Sequence, residues 1–242
     1  MRDNLPAGTL IMGSVKADGY GHGSVPVAKA IAPYVYGYAV ATIDEGMILR
    51  RHGIDKRILI LGVTHESRYE DLLRYDICTA MFQYEKAKKL SDLAVKQGKK
   101  AVVHLALDTG MSRIGMKPDR EHAKEAAAIA ALEGIEVEGL FTHFARADET
   151  DKSAYEAQYS RYKQFLGYLD ELNVKIPIRH CSNSAGIVES LESNQMDMVR
   201  AGIAIYGMYP SDEVDHESVK LTPAMEIKSC ITYIKEIEPG TA

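Results

Sequence analysis

A chain of 242 residues can bury one sizeable core and matches the length of a single (β/α)8 barrel, typically about 250 residues. A net charge of −5 with interspersed signs leaves no basic face for a polyanion, so nucleic acid is not an expected partner. No apolar run is long enough to span a bilayer and no apolar core follows a basic start, so neither a membrane segment nor a signal peptide is expected, and the chain reads as cytoplasmic.

In chain order, strands alternate with helices. Thr9 to Lys16 reads as a first strand and Ser24 to Ala32 as a helix with apolar Val25, Ala28 and Ala32. Tyr36 to Ala41 is a second strand, and Ile43 to His52 a helix closed by Gly53. Arg57 to Val63, Arg68 to Arg74 and Asp76 to Phe82 follow as strand, short helix and strand. A helix over Glu85 to Gln97, ended by Gly98, leads to a fifth strand at Ala101 to Leu107. Asp119 to Leu132 is a helix ended by Gly134, and Glu136 to Thr142 a sixth strand. The longest helix, Ser153 to Leu172, precedes strands at Ile176 to Cys181 and Met196 to Ile205, with a helix starting near Ser184 between them. Short connections between such elements imply a parallel sheet and most simply a closed (β/α)8 TIM-like barrel. A doubly wound open sheet would need a G-x-G-x-x-G turn after the first strand, and the glycines at 19, 21 and 23 do not give one.

In a barrel the chemistry belongs at the C-terminal ends of the strands. There the first strand carries Val15-Lys16-Ala17-Asp18-Gly19-Tyr20-Gly21-His22-Gly23. A lysine in a partly desolvated pocket can lose its proton and link covalently to an aldehyde, and glycines let a ligand lie against the turn, with Tyr20 and His22 facing it. Taken as residue types alone, a surface lysine before an ordinary loop is the preferred reading, and the whole nine-residue string changes that balance. After the seventh strand, His180-Cys181-Ser182-Asn183-Ser184-Ala185-Gly186 offers hydroxyls and a helix start suited to phosphate, or an ordinary N-cap. After the eighth, Arg200-Ala201-Gly202-Ile203 offers further backbone amides. Strand five ends in Asp108-Thr109-Gly110-Met111-Ser112-Arg113-Ile114-Gly115, where the Arg113 fork suits two oxygens, or a structural ion pair. His143 ends strand six, with a satisfied core histidine as the plainer reading; for His104 the plainer reading is preferred. Eight histidines without H-E-x-x-H spacing, and the odd, scattered Cys78, Cys181 and Cys230, give neither a metal site nor a disulfide framework; the cysteines are expected reduced and mostly in or near the core.

The nine-residue lysine string resembles the pyridoxal-phosphate motif of the bacterial alanine racemases, with Gly19 where the family has alanine, and the stretch from Asp108 resembles that family's D-T-G-M-x-R-x-G. The resemblance implies pyridoxal 5'-phosphate as cofactor and L- and D-alanine as substrates, interconverted for peptidoglycan precursor supply by two-base proton transfer at Cα. It implies Lys16 as cofactor lysine and one base, and Arg113 on the cofactor's phenolic oxygen and the substrate carboxylate. Tyr20, Ser184, Gly202 and Ile203, with neighbouring Asn183, would hold the phosphate, Arg200 would face the pyridine nitrogen, and His143 would stack near the ring. Ala106 stands where many members carry a lysine, often carbamylated, so Arg113 lacks that support; a bound chloride or a different arrangement of Arg113 could replace it. Residues 1–220 would form the barrel and 221–242, whose apolar residues alternate from Pro223 to Gly240, the start of a truncated β-rich domain. In the family that domain supplies the opposing tyrosine across a homodimer. A non-catalytic cofactor-binding barrel and a serine racemase are the alternatives.

Overall fold

The computed structural model describes residues 1–241. Eight strands alternate with helices: β1 (Leu10–Ser14), α1 (Ser24–Ile31), β2 (Gly37–Val40), α2 (Ile43–Arg51), β3 (Arg57–Ile60), α3 (Tyr69–Tyr75), β4 (Cys78–Met81), α4 (Tyr84–Lys96), β5 (Ala101–Ala106), α5 (Arg120–Ala130), β6 (Ile135–Phe141), α6 (Ser153–Glu171), β7 (Ile178–His180), α7 (Ser184–Val188) and β8 (Met198–Ala201). All pairings are parallel, in the order β7-β6-β5-β4-β3-β2-β1-β8. Between β7 and β8 the barrel is drawn together by the Arg200 amide on Ser182 O at 2.9 Å and by Arg179, whose Nε donates to Asp197 Oδ2 at 2.6 Å. The expected (β/α)8 barrel is therefore the fold, nearly closed.

Two apolar layers follow from the pleat. Outward-facing strand residues such as Val40, Ile58, Ile60, Val103 and Leu105 pack under the helices, while Met12, Ala39, Leu59, Cys78, Ile178 and Met198 fill the inside. Helix starts obey local chemistry: Thr42 and Asp119 accept from the amides of Glu45 and His122, as N-caps do.

Most strands are shorter than expected, β3 ending at Ile60 and not at Val63, and three differences have an identifiable physical cause. The first strand stops at Ser14, because the backbone after Val15 winds left-handed and cannot continue a ladder. The last strand ends at Ala201, after which Ile203–Tyr206 forms a 3-10 turn. From Pro223 to Gly240 no strand forms: Ile227 is 89% exposed and Ile231 and Ile234 each 79%, since an alternating segment needs a neighbouring strand for its N–H and C=O groups and the described residues offer none. Cys230, on that segment, is exposed, unlike the buried Cys78 and Cys181.

Candidate active site

Lys16 stands just past β1, and the residues after it are bent to serve it. Ala17, Asp18, Gly19 and Tyr20 all have left-handed backbones, with φ of 51°, 50°, 63° and 54°. For an L-residue each such conformation costs roughly 1–2 kcal/mol, so neighbours must hold the turn. Glu45, at the start of α2, does so with both oxygens: Oε1 accepts from the Ala17 amide at 2.8 Å and Oε2 from the Ala41 amide at 2.7 Å. Asp18 Oδ1 accepts from the Ser24 amide at 2.8 Å. Gly19 is buried where a Cβ would meet Ser24 N at 3.2 Å. The outcome is that Tyr20 turns back beneath the lysine, its ring centroid 4.8 Å from Lys16 Nζ. Tyr206 backs this ring at 4.9 Å and donates to Ser14 O at 2.8 Å. His22, expected to face the ligand, instead packs on Tyr206 at 4.7 Å with Nδ1 near Tyr20 O, because the glycines on either side carry the chain away from the cavity.

Lys16 and Tyr20 open onto a cavity of about 220 Å³ at the C-terminal ends of the strands, lined also by His143, Asn183, Ser184, Arg200, Gly202 and Ile203. At one side Ser184 Oγ accepts from the amides of Gly202 at 2.9 Å and Ala204 at 3.4 Å, which leaves its O–H to donate elsewhere. Asn183, not Ser184, is the N-cap, accepting from the Gly186 amide at 3.1 Å. With α7 only five residues long, hydroxyls and single amides supply most of the positive potential, and the helix dipole little. A Cβ at Gly202 would lie 3.0 Å from Tyr20 Oη and 3.5 Å from Ser184 Oγ, so glycine keeps this corner open.

Arg200 reaches the cavity floor from β8 and is 4% exposed. Its guanidinium donates to the carbonyls of Thr142 at 2.7 Å, Cys181 at 3.0 Å and His180 at 3.1 Å, the ends of β6 and β7. Burial lowers its pKa to about 10, which still leaves it a cation near neutrality. His143 Nδ1 lies 3.4 Å from Arg200 Nη2; because the arginine can only donate, that nitrogen is bare and Nε2 carries the proton. Burial first, then Arg200, Arg113 and Lys16, push the His143 pKa down to about 3.

Arg113 is the candidate that the cavity wall omits. Its loop is firmly built, with Asp108 Oδ1 accepting from the amides of Gly110 and Ser112 at 3.0 and 2.9 Å and Thr109 bonded to Thr142 at 2.8 Å. The Arg113 side chain is exposed, and among the described residues it has no hydrogen bond or ion pair. Ala106 packs with Ala80 and Phe141 in an apolar cluster that gives a guanidinium nothing to hold. The cavity also includes Ser14, Leu61, Asp148, Ala185 and Pro210, which sequence reasoning did not select. Ser14 carried a signal, lying two residues before Lys16, and Leu61 follows a strand end; Asp148 lies in a loop without motif.

The chain matches the family described as alanine racemase, N-terminal domain, over residues 1–210. It is 45% identical over 232 residues to an alanine racemase of Desulforamulus reducens, covering 96% of this chain and 62% of that protein. To an alanine racemase of Clostridium tetani it is 41% identical over 238 residues, covering 98% and 61%. Among solved structures, the alanine racemase of Clostridium difficile in complex with cycloserine superposes with a TM-score of 0.94 at 43% identity, over 97% of this chain and 65% of that one. That of Bacillus anthracis with bound L-Ala-P gives 0.86 at 34% identity, over 92% and 58%. The chain thus spans about three fifths of the length of these relatives. A lysine, a hydroxyl-and-amide corner and a buried arginine at the mouth of a (β/α)8 barrel, matched over nearly the whole chain, place it in the alanine racemase N-terminal domain family.

Proposed function

We propose that this chain is the pyridoxal 5'-phosphate-binding barrel of an alanine racemase, which interconverts L- and D-alanine for peptidoglycan precursor supply. The observation that carries the reading is the single cavity shared by Lys16, Arg200 and the Ser184–Gly202 corner. The residues suit the cofactor. Ser14 Oγ is buried without a hydrogen-bond partner, and Ser14 lines this cavity, so the wall holds a polar atom awaiting a ligand group. Tyr20, the Ser184 hydroxyl and the Ile203 amide, which as the first of its 3-10 turn has no partner within that turn, would take the phosphate beside Gly202, with Asn183 fixing the adjoining chain. When bound, the cofactor supplies a conjugated ring that delocalises the electron pair left at Cα.

The chain's own groups divide the remaining work. Lys16, whose Nζ lies over the Tyr20 ring, would hold the aldehyde carbon until the substrate amine displaces it there, and the lysine amine so freed would remove or return the proton at Cα of the D-enantiomer. Arg200, a cation, would donate to the pyridine nitrogen without yielding its proton, which would limit how much charge the ring withdraws. His143, held neutral, steadies Arg200 beside the ring. Arg113 would swing inward to the substrate carboxylate. Proton transfer on the opposite face needs a second base; Tyr20 lies beside Lys16 and Tyr206 Oη is committed to Ser14 O, so neither provides it. That base belongs to a second, β-rich domain joined through residues 221–242, in a homodimer, and the enzyme works in the cytoplasm.

Cα–H exchange in heavy water, followed by NMR for D- and L-alanine separately on the chain loaded with pyridoxal phosphate, tests the reading. Exchange of D-alanine alone, abolished in Lys16→Ala, is the expected outcome. Cofactor binding with no exchange of either enantiomer would instead make the barrel a carrier.

A further inference from the structure

Beneath the cavity the barrel interior turns polar, where branched apolar side chains normally fill such a core. His104 on β5 and His180 on β7 are both fully buried. Their rings meet edge to face, with 2.8 Å between His104 Nδ1 and His180 Nε2. His180 Nδ1 lies 2.9 Å from Arg200 Nη1, and His104 Nε2 lies 2.9 Å from Glu138 Oε2. Glu138 Oε1 accepts in turn from Arg57 Nη2 at 2.7 Å. The backbone is shaped for this file. The β5–β6 register slips between Val103 and His104, so that His104 pairs with Gly139 and Glu138 is the extra residue of a bulge, the device by which a strand re-aims a side chain. A Cβ at Gly139 would stand 2.5 Å from His104 Nδ1, so only glycine there admits the ring.

Both ends of the file are ionised groups with a single role. A guanidinium can only donate and a carboxylate can only accept. From the Arg200 end, His180 Nδ1 must be bare, so Nε2 carries the proton and donates to His104 Nδ1, and His104 Nε2 carries the proton given to Glu138. From the Glu138 end the same assignment follows in reverse, with no proton to spare. Burial favours the neutral form of both rings. It also pushes the Glu138 carboxyl up, but the donors on His104 and Arg57 outweigh it and hold that group below the usual carboxylate range.

We propose that Glu138, His104 and His180 form a one-way hydrogen-bond relay, anchored by Arg57, that positions Arg200 as a donor toward the cofactor ring. This rests on the reading of Arg200 as the group that faces the ring. The three act through Arg200, since none of them lines the cavity. Cys78 Sγ, His104 and Glu138 also bring ligand atoms within 4.8 Å of one another, a spacing a metal ion could use. A metal on His104 Nε2 would move that ring's proton to Nδ1, reverse His180 as well, and aim a His180 N–H at the N–H groups of Arg200. Arg57 adds a second cation against the same carboxylate. The relay and the ion are mutually exclusive, and the geometry favours the relay.

Nitrogen-15 NMR of histidine- and arginine-labelled chain, without cofactor and near neutral pH, reads the tautomers directly, with His104→Asn and His180→Asn assigning the signals. Both rings are expected neutral with the proton on Nε2, unchanged by added zinc. An Nδ1–H form or an imidazolium at either ring, or a zinc-dependent flip, overturns the relay. Glu138→Gln is expected to lose the single tautomer at both rings and to shift the Arg200 guanidinium signals; unmoved Arg200 signals overturn the positioning role, and His104→Asn gives the same reading should Glu138→Gln not fold. On cofactor-loaded samples, the pH midpoint of the cofactor absorbance should move by roughly one unit in Glu138→Gln and His104→Asn but not in Cys78→Ser. An unmoved midpoint reduces the file to scaffolding. If the wild-type chain takes up no cofactor, the proposed function fails, while the cofactor-free signals still decide the relay.

Discussion

At the scale of single residues, the site is organised by forcing groups into one protonation state. Burial of His143, and after it the charges of Arg200, Arg113 and Lys16, bring its pKa down to about 3. An unfolded histidine titrates at about 6.5, so between these values the unfolded chain binds a proton that the folded chain refuses. Stability therefore falls as the pH drops from about 6.5 toward about 3, by at most ~1.4 kcal/mol per pH unit from this ring. His104 and His180, both with lowered pKa values, act in the same direction. Urea unfolding at several pH values checks this: His143→Gln should flatten the acid slope relative to wild type, and an unchanged slope would mean that the ring is not held neutral in the folded chain.

At the scale of elements, the left-handed turn after Lys16 depends on α2. Glu45 gives one oxygen to the turn and the other to the chain entering α2, so one carboxylate locks two loops at the mouth of the barrel. In Glu45→Gln the amide NH2 must face one of those backbone N–H groups. Losing a charged hydrogen bond and orphaning a donor costs about 1.5–3 kcal/mol, to be read from denaturant midpoints, with weaker cofactor binding by absorbance titration because Tyr20 loses its support. Unchanged affinity would mean that the turn holds its shape without α2. This dependence marks where the sequence stops being legible. The strand–helix alternation and the string around Lys16 could be read, and the structure brings Lys16, Tyr20, His143, Asn183, Ser184, Arg200, Gly202 and Ile203 to one cavity. Local periodicity does not encode a carboxylate reaching back from residue 45, nor a bulge that turns Glu138 toward His104; both arise when distant strands are set side by side. Over Pro223 to Gly240 the alternation stays without a strand, since it yields one only where another strand is present to pair with it.

At the scale of the whole molecule, the barrel has one weak seam, and the cavity lies across it. Seven junctions are ladders, while β7 and β8 meet through Arg200 N on Ser182 O and through the bonds of Arg179 to Asp197, from its backbone N at 2.8 Å, Nε at 2.6 Å and Nη2 at 3.1 Å. The loops leaving these two strands carry Asn183, Ser184, Gly202 and Ile203. Local opening of the seam and loss of the ligand corner are then the same event, and a ligand bound there stabilises the closed form by about 2.7 kcal/mol at a hundredfold excess over its Kd. Burial raises the Asp197 carboxyl, but Arg179 outweighs it and leaves the group below its ordinary value. A lowered carboxylate stabilises above its unfolded pKa, about 3.9, and that contribution fades as the pH falls through the folded value, so the seam should loosen on acidification before the ladders do. Hydrogen exchange measures this residue by residue. In Asp197→Asn, the amides of β8 and of residues 182–184 should exchange faster while those of β3 and β4 keep their protection, and added pyridoxal phosphate should restore the lost protection. Uniform loss of protection around the barrel would show that the seam is no weaker than the ladders, and that cofactor binding stabilises the fold as a single unit.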